Sequence, residues 1–270
     1  MAGSYNVKTE HRDEESEFHR LEAQALVSWK KEARLLEWLG LKDGMSILEL
    51  GSGPGFVTQQ LLSLLPHGRI TAVDVDPEMH RQARARLPEP ENGRLVSIQA
   101  SATNTGLPDN GFDFAVARLL FQHLQDPVEA AKETLRVLKP RGKLAVIEID
   151  AALWGIVEPQ SPGLLPVFEK VARSQGRRGG DRLIGRRLWR ILEAAGYENL
   201  RLEAFVYHSD EIGIEAFRPQ LDPDRLLPQV TEGCISLLEF ANVQAAYNHF
   251  LSSPDPYILM LGLIGCGEKA

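Results

Sequence analysis

The stretch Ile47-Leu48-Glu49-Leu50-Gly51-Ser52-Gly53-Pro54-Gly55-Phe56-Val57-Thr58 decides the fold. The apolar run 45–50 predicts a buried strand. Three glycines follow on alternate positions, and 56–65 carries apolar residues at helical spacing. Strand, tight glycine turn and helix is the layout in which backbone N–H groups close around a ligand. Glycine suits it because a Cβ would block the approach or forbid positive φ. The spacing differs from the dinucleotide fingerprint G-x-G-x-x-G, which requires glycine where Phe56 stands. The pattern here is Glu49-x-Gly51-x-Gly53-x-Gly55. Asp74 closes the next apolar run, 70–73, about 20 residues on, where an acid that binds a ribose is expected.

Outward from this stretch, strands alternate with helices. Apolar positions Leu21, Ala25, Leu26, Trp29, Leu35, Leu36 and Leu39 predict one long or two short helices over 14–39, ending at Gly40 and suited to cap a site. Strands are expected at 69–74, 94–99, 112–117 and 143–149. Asp76-Pro77 and Asp126-Pro127 each read as an N-cap followed by proline at the first helical position. The second of these helices is expected to reach Leu138, with Lys139-Pro140-Arg141-Gly142 stopping it. The alternation predicts a parallel doubly wound sheet, with ligands at the carboxyl ends of its strands. Glu49, Asp74, Ala100, Arg118 and Asp150 fall at or near such ends. Residues 154–180, with three prolines, read as an inserted lid containing a helix near 164–171. A helix over 181–195, a strand over 200–207, broken helices over 209–252 and a last strand over 257–266 complete the chain. The expected division is a helical cap (1–40), a cofactor-binding core (41–150) and a substrate and lid region that completes the sheet (151–270), all in one overall domain.

The chain has 270 residues, 43% of them hydrophobic, enough for a sizeable core. Its net charge of −7 argues against a nucleic-acid partner, which calls for a basic face. The two cysteines, Cys234 and Cys266, suggest neither a disulfide framework nor a zinc site. No run approaches the ~18 apolar residues of a membrane span. The start is polar and lacks an apolar signal core. The expectation is a soluble cytoplasmic protein with no membrane partner; the sequence leaves a homo-oligomer open.

The glycine loop with Glu49 and Asp74 resembles motif I of the class I S-adenosylmethionine (SAM)-dependent methyltransferases. Three further segments resemble the small-molecule, type 11-like branch of that family. These are Leu107-Pro108-Asp109-Asn110-Gly111-Phe112-Asp113, then Phe121-Gln122-His123-Leu124 with Asp126-Pro127, and Val137-Leu138-Lys139-Pro140-Arg141-Gly142. The likeness covers 14–150 and the final residues 265–269, and is weak over 151–256. It implies a Rossmann-like seven-stranded sheet of order 3-2-1-4-5-7-6 with the last strand antiparallel. It implies SAM as cofactor, S-adenosylhomocysteine (SAH) as product, and methyl transfer to an oxygen, nitrogen or carbon of a small molecule. A SAM-binding protein of the same fold that is non-methylating or regulatory is the alternative. By the same resemblance Glu49, Gly51, Ser52, Gly53 and Gly55 cradle the methionine part and Asp74 holds the ribose hydroxyls. Val75 lies against adenine, and Ser101 and Ala102 bracket its edge, Ser101 standing where the family has Asp. Arg118 sits beside the methionine end, and Tyr5, Arg20 and Gln24 belong to a segment that closes over the cofactor.

Methyl transfer from a sulfonium needs alignment more than activation, so no metal is expected. A hydroxyl acceptor benefits from a general base. The candidates near the active edge are His123 after the fourth strand, His208 after the sixth, and Asp150 after the fifth. Trp154 is a candidate pocket wall. Arg173, Arg177, Arg178, Arg182, Arg186, Arg187 and Arg190 form a basic run that reads chiefly as a solvated helix face.

Overall fold

The computed structural model describes residues 4, 14–87, 93–153, 155–160 and 164–270. Helices α1 (Glu14–Val27) and α2 (Trp29–Leu39) precede strand β1 (Ser46–Leu50), α3 (Phe56–Leu64), β2 (Arg69–Asp74), α4 (Pro77–Arg86) and β3 (Leu95–Gln99). Strand β4 (Phe112–Arg118), α5 (Pro127–Val137), β5 (Leu138–Glu148), β6 (Gly155–Glu158), α6 (Leu164–Arg177) and α7 (Leu188–Ala195) follow. After β7 (Glu198–His208) come four helices, α8 (Ser209–Ile212), α9 (Arg218–Leu221), α10 (Leu227–Thr231) and α11 (Leu237–Ser252), and then β8 (Tyr257–Glu268).

The local signals act as expected at the helix starts. Asp76 Oδ1 accepts from Glu78 N at 2.8 Å, and Asp126 Oδ1 accepts from Glu129 N at 3.0 Å, each ahead of a proline that needs no N–H partner. Gly40 ends α2 in the left-handed region at φ 115°.

The sheet runs β3-β2-β1-β4-β5-β8, parallel up to β5 and antiparallel at β8. Strand β7 pairs with the far edge of β8. This is the expected order with one addition. Strand β8 is 12 residues long, and beyond its pairing with β5 it pairs Tyr257–Met260 with β6 on the same edge. The sheet therefore has eight strands rather than seven, and the start of the expected lid is strand. Strand β5 also begins earlier than expected. It takes in 139–142, with a bulge opposite Phe112/Phe114 and Arg141 at φ 65°.

Alternate residues face opposite layers. Ile47, Phe114, Val116 and Ile147 pack with Leu36, Leu39 and Leu61 of the helices on one face. Leu48, Leu50, Ala117 and Val146 pack with Ala130, Leu188 and Ile191 on the other. A smaller cluster of Val167, Val171, Leu226, Ile235 and Val243 joins α6 to the helices before β8. The carboxyl ends of β1, β2, β4 and β5 open into one cavity between this cluster and the N-terminal helices.

Candidate active site

The cavity has a volume of about 1260 Å³. A site for one small ligand typically takes about 300–1,000 Å³, so there is room for two reactants. One end is the glycine turn. Gly51 N and Ser52 N both donate to Val73 O, at 2.8 and 3.1 Å, which fastens the turn to β2. Gly53 N donates to Asp74 Oδ2 at 2.8 Å, and Asp76 N donates to Asp74 Oδ1 at 2.9 Å. The carboxyl of Asp74 is thus fixed at the cavity wall with lone pairs left over for a ligand. Burial raises its pKa, opposed by those N–H donors. Gly53 has φ 54°, and a Cβ there would meet nothing within 4 Å. The open space above it is where a ligand can reach the backbone.

Gly51, Ser52, Gly53, Asp74, Val75, Gln24, Arg118 and His123 all line this cavity. Val75 offers a half-exposed apolar surface beside Asp74. Glu49 does not line it. Glu49 is buried beneath the turn, where its Oε2 accepts from Thr58 Oγ1 at 2.6 Å, so it props the loop from below. Burial pushes its pKa up to about 8. Gly55 also lies behind the turn, with Leu87 and Ala83 next to it. Ser101 and Ala102 are absent from the wall too. Ser101 Oγ is engaged with Thr103, accepting from its N at 3.2 Å and lying 2.9 Å from its Oγ1, while Ala102 packs in the core.

Arg118 leaves the end of β4 and points under the N-terminal helices. Its Nε donates to Glu32 Oε2 at 2.7 Å and its Nη2 to Glu32 Oε1 at 3.0 Å. Nη2 also donates to Gln24 O at 2.7 Å. The guanidinium thus ties α1 and α2 over the sheet as a cap. Arg20, on the same cap, is buried and donates to the Glu17 carboxylate at 2.5 and 2.8 Å. Tyr5 lies outside the described residues, as does Trp154.

The three base candidates fare differently. Arg182 Nε donates to Gln175 Oε1 at 2.6 Å, which orients the amide so that Gln175 Nε2 faces His123 Nδ1 at 3.2 Å. His123 Nδ1 is therefore an acceptor already in use, and the ring proton sits on Nε2. Burial, helped by the charges of Arg182, Arg20 and Arg178, lowers its pKa to about 3. The imidazole stays neutral, and its low affinity for a proton makes it a poor base. Asp150 does not line the cavity. Arg186 holds it at 2.5 and 2.7 Å, and it caps the following turn through Ala152 N. His208 is likewise away from the wall, its ring 6.0 Å from that of Tyr257 and its Nε2 3.8 Å from Glu211.

Sequence reasoning missed Glu148. It is fully buried, lines the cavity at the end of β5, and accepts from Gln122 N at 3.1 Å and Gln122 Nε2 at 3.2 Å. Burial pushes its pKa up to about 8. Tyr207 of β7 also lines the cavity. The opposite wall is mostly apolar, formed by Leu164, Phe168 and Ala172 of α6 with Leu226 and Val243. Of the basic run, Arg173 and Arg182 reach the cavity, while Arg178, Arg186 and Arg187 are engaged by Glu232, Asp150 and Asp181. Among the described residues no cluster of three His, Cys, Asp or Glu could hold a metal, and no helix is long and apolar enough to cross a membrane.

A parallel sheet with its order reversing at β1, a glycine turn after β1 and an acid ending β2 define the class I methyltransferase fold. Residues 48–146 match the family model described as "Methyltransferase domain". An uncharacterized 37.1 kDa protein in a transposon of Streptomyces fradiae is 34% identical over 170 residues, 60% of this chain and 46% of that one. The ubiquinone/menaquinone biosynthesis C-methyltransferase UbiE of Pseudomonas paraeruginosa is 30% identical over 149 residues, 53% and 57% of the two chains. The chain thus spans about half the length of these curated relatives. A solved SAM-dependent methyltransferase of Thermotoga maritima superposes with a TM-score of 0.57 at 18% identity, over 94% of this chain and 95% of that one. Residues 48–146 are thus similar to a methyltransferase domain, and the fold is that of the class I SAM-dependent methyltransferases, whose cofactor is S-adenosylmethionine.

Proposed function

We propose that this chain binds SAM at the glycine turn and transfers its methyl group to an oxygen, nitrogen or carbon of a small, largely apolar molecule. The observation that carries the reading is Asp74. Its carboxyl is locked to Gly53 N and Asp76 N, yet stands on the wall of a cavity large enough for cofactor and acceptor together. Asp74 would accept from the ribose hydroxyls, and Gly51 to Gly53 would lie against the methionine part. Val75 would cover the adenine, with the α1–α2 cap held over the cofactor by Arg118. SAM supplies a methyl group on a positively charged sulfur, already activated toward attack. The protein's contribution is alignment and exclusion of water. The cap (1–40), core (41–150) and remainder (151–270) divide the work as cover, cofactor site and acceptor wall. The acceptor wall is apolar, which favours an acceptor that is mostly hydrocarbon with few polar groups.

Calorimetric titration with SAM, SAH and NAD tests this. The expected result is binding of SAM and SAH but not NAD, with Asp74→Ala weakening SAM more than tenfold. A folded protein that ignores SAM overturns the reading.

A further inference from the structure

Among the described residues, Glu148 is the fully buried cavity carboxyl that no ion pair holds. Asp74 and Asp76 are tied into the β2–α4 turn. Glu32 is paired with Arg118, and Glu169 with Arg173. Asp222 caps the turn that follows it. Glu148 accepts from Gln122 N and Nε2, with the backbone N–H groups of Ile149 and Phe121 also directed at it, and makes no ion pair among the described residues. It stands two strands from the glycine turn in the order β1-β4-β5, about 10 Å along the sheet at the usual strand spacing. A ligand with its ribose at β2 and its methionine part at β1 runs toward that position.

We propose that Glu148 is the carboxylate that answers the positive charge of the methyl donor, so that binding of SAM, and not of SAH, drives a proton off this side chain. The proposal rests on the SAM-binding reading above. In a buried site an opposite charge within roughly 4–6 Å favours the ionised carboxyl by about 1–3 pKa units. Burial holds Glu148 near 8 beforehand, so the cofactor's charge decides whether it is ionised at neutral pH. The consequence is chemical. When a hydroxyl acceptor reacts, its oxygen forms the new bond to carbon, and the carbon–sulfur bond breaks with its electron pair left on sulfur. The O–H proton passes to Glu148. As the sulfur loses its charge, the carboxyl regains its affinity for a proton and keeps it. Charge and proton thus leave and arrive together, and the acceptor class that fits is an apolar molecule with a proton-bearing nucleophile.

The ionisable groups facing this part of the cavity are Arg118 and His123 from the β4 side and Glu32 and Arg20 from the cap. Tyr207 faces it from β7 and Arg182 from the segment before α7. Arg118 is held cationic, His123 neutral at about 3 and Tyr207 neutral at about 12. None of these three changes charge between pH 6.5 and 8.5. Glu49 titrates nearby but lies beneath the turn, and Asp74 faces a ribose common to both ligands.

The test is the ratio of SAM to SAH affinity in wild type and Glu148→Gln, by calorimetry at pH 6.5 and 8.5. The ligands' shared amino and carboxyl groups cancel in that ratio. In wild type the preference for SAM should rise about tenfold across the interval, the equivalent of roughly one pKa unit. In Glu148→Gln it should stay flat, with SAH binding within twofold of wild type. A flat ratio in wild type, a rise that persists in the variant, or an equal loss of both ligands overturns the proposal and leaves the SAM-binding reading intact. Binding of neither ligand to folded wild type removes that reading and the proposal with it. Should Glu148→Gln fail to fold, Gln122→Lys, which sets a cation beside Glu148, takes its place and should give the same flat ratio. Titration in two buffers of different ionisation enthalpy should report proton release with SAM and none with SAH, and equal release with both refutes the idea.

Discussion

The Arg118–Glu32 pair joins residues 86 positions apart and holds the cap on the sheet. Its side chains are 10% and 1% exposed, so little water can compensate for a lost partner. Glu32→Ala leaves the guanidinium buried with Gln24 O and Ser28 Oγ as its remaining partners. It also strands Ser28 Oγ, which donates to Glu32 Oε1 at 2.6 Å. Breaking a buried ion pair from one side costs about 3–5 kcal/mol. For a chain of this size each kcal/mol lowers Tm by about 2–4 °C, so the fall should be on the order of 10 °C. Replacing both partners with apolar residues, Arg118→Met with Glu32→Leu, should recover part of the loss, because no charge is then left unpaired. Urea unfolding of Glu32→Leu, Arg118→Met and the double variant closes the cycle, and the coupling should exceed about 1 kcal/mol, above the few tenths seen for independent sites. On the proposed SAM-binding reading, in which the cap lies over the cofactor, Glu32→Ala should also weaken SAM and SAH alike. A single variant within about 1 kcal/mol of wild type, or losses that simply add in the double, would show that water reaches the pair and that the cap is held by something else.

Gly53→Val should abolish SAM binding while costing about 1–2 kcal/mol of stability, the strain of a left-handed φ, because a Cβ there meets no protein atom within 4 Å; retained binding would move the cofactor off the turn. Glu133 is held down to about 2, chiefly by Arg136, with Thr105 N and Oγ1 adding donors at 2.8 and 2.6 Å. Its folded pKa is depressed, so its contribution is full above about 4.5 and vanishes as pH falls toward 2. Urea midpoints of wild type and Glu133→Gln should therefore converge on acidification, and parallel curves would refute the assignment. Glu49 has the opposite sign. Its folded pKa of about 8 lies above the ordinary 4.5, so the folded state holds the proton more tightly and stability declines as pH rises between those values. Glu49→Gln should flatten that decline, and an unchanged slope would mean the carboxyl is already ionised.

The glycine turn and Asp74 were legible in the sequence because their chemistry is local. Close backbone approach demands glycine, and an acid ending the next strand lies alongside by parallel pairing, Leu50 against Val73. The helix starts were legible for the same reason, since Asp-Pro satisfies a helix end by itself. Strand β6 was not. Gly155, Ile156, Val157 and Glu158 are largely exposed and show no buried face. They are strand only because β8 is long enough to extend past β5 and offer them an edge, a fact carried by residues a hundred positions away.

The active-edge acids make the sharper case. Glu148 and Asp150 are two apart, and on an extended strand such residues share a face, so alternation cannot separate them. What separates them is where the strand stops and what lies opposite. Pairing ends at Glu148, and the chain turns at Ala151, which brings Asp150 to Arg186 and consumes it in an ion pair. Glu148 meets Gln122 instead, an amide that can donate hydrogen bonds but carries no charge. A neutral partner leaves a buried carboxyl free to respond to a charge that arrives later, and a charged partner does not. Exchanging the partners should therefore exchange the behaviour. Gln122→Lys would set a cation beside Glu148, hold it ionised with or without cofactor, and erase the pH dependence of the SAM-to-SAH preference while the carboxyl itself remains. A preference that still climbs with pH in that variant would place the responding group elsewhere in the cavity.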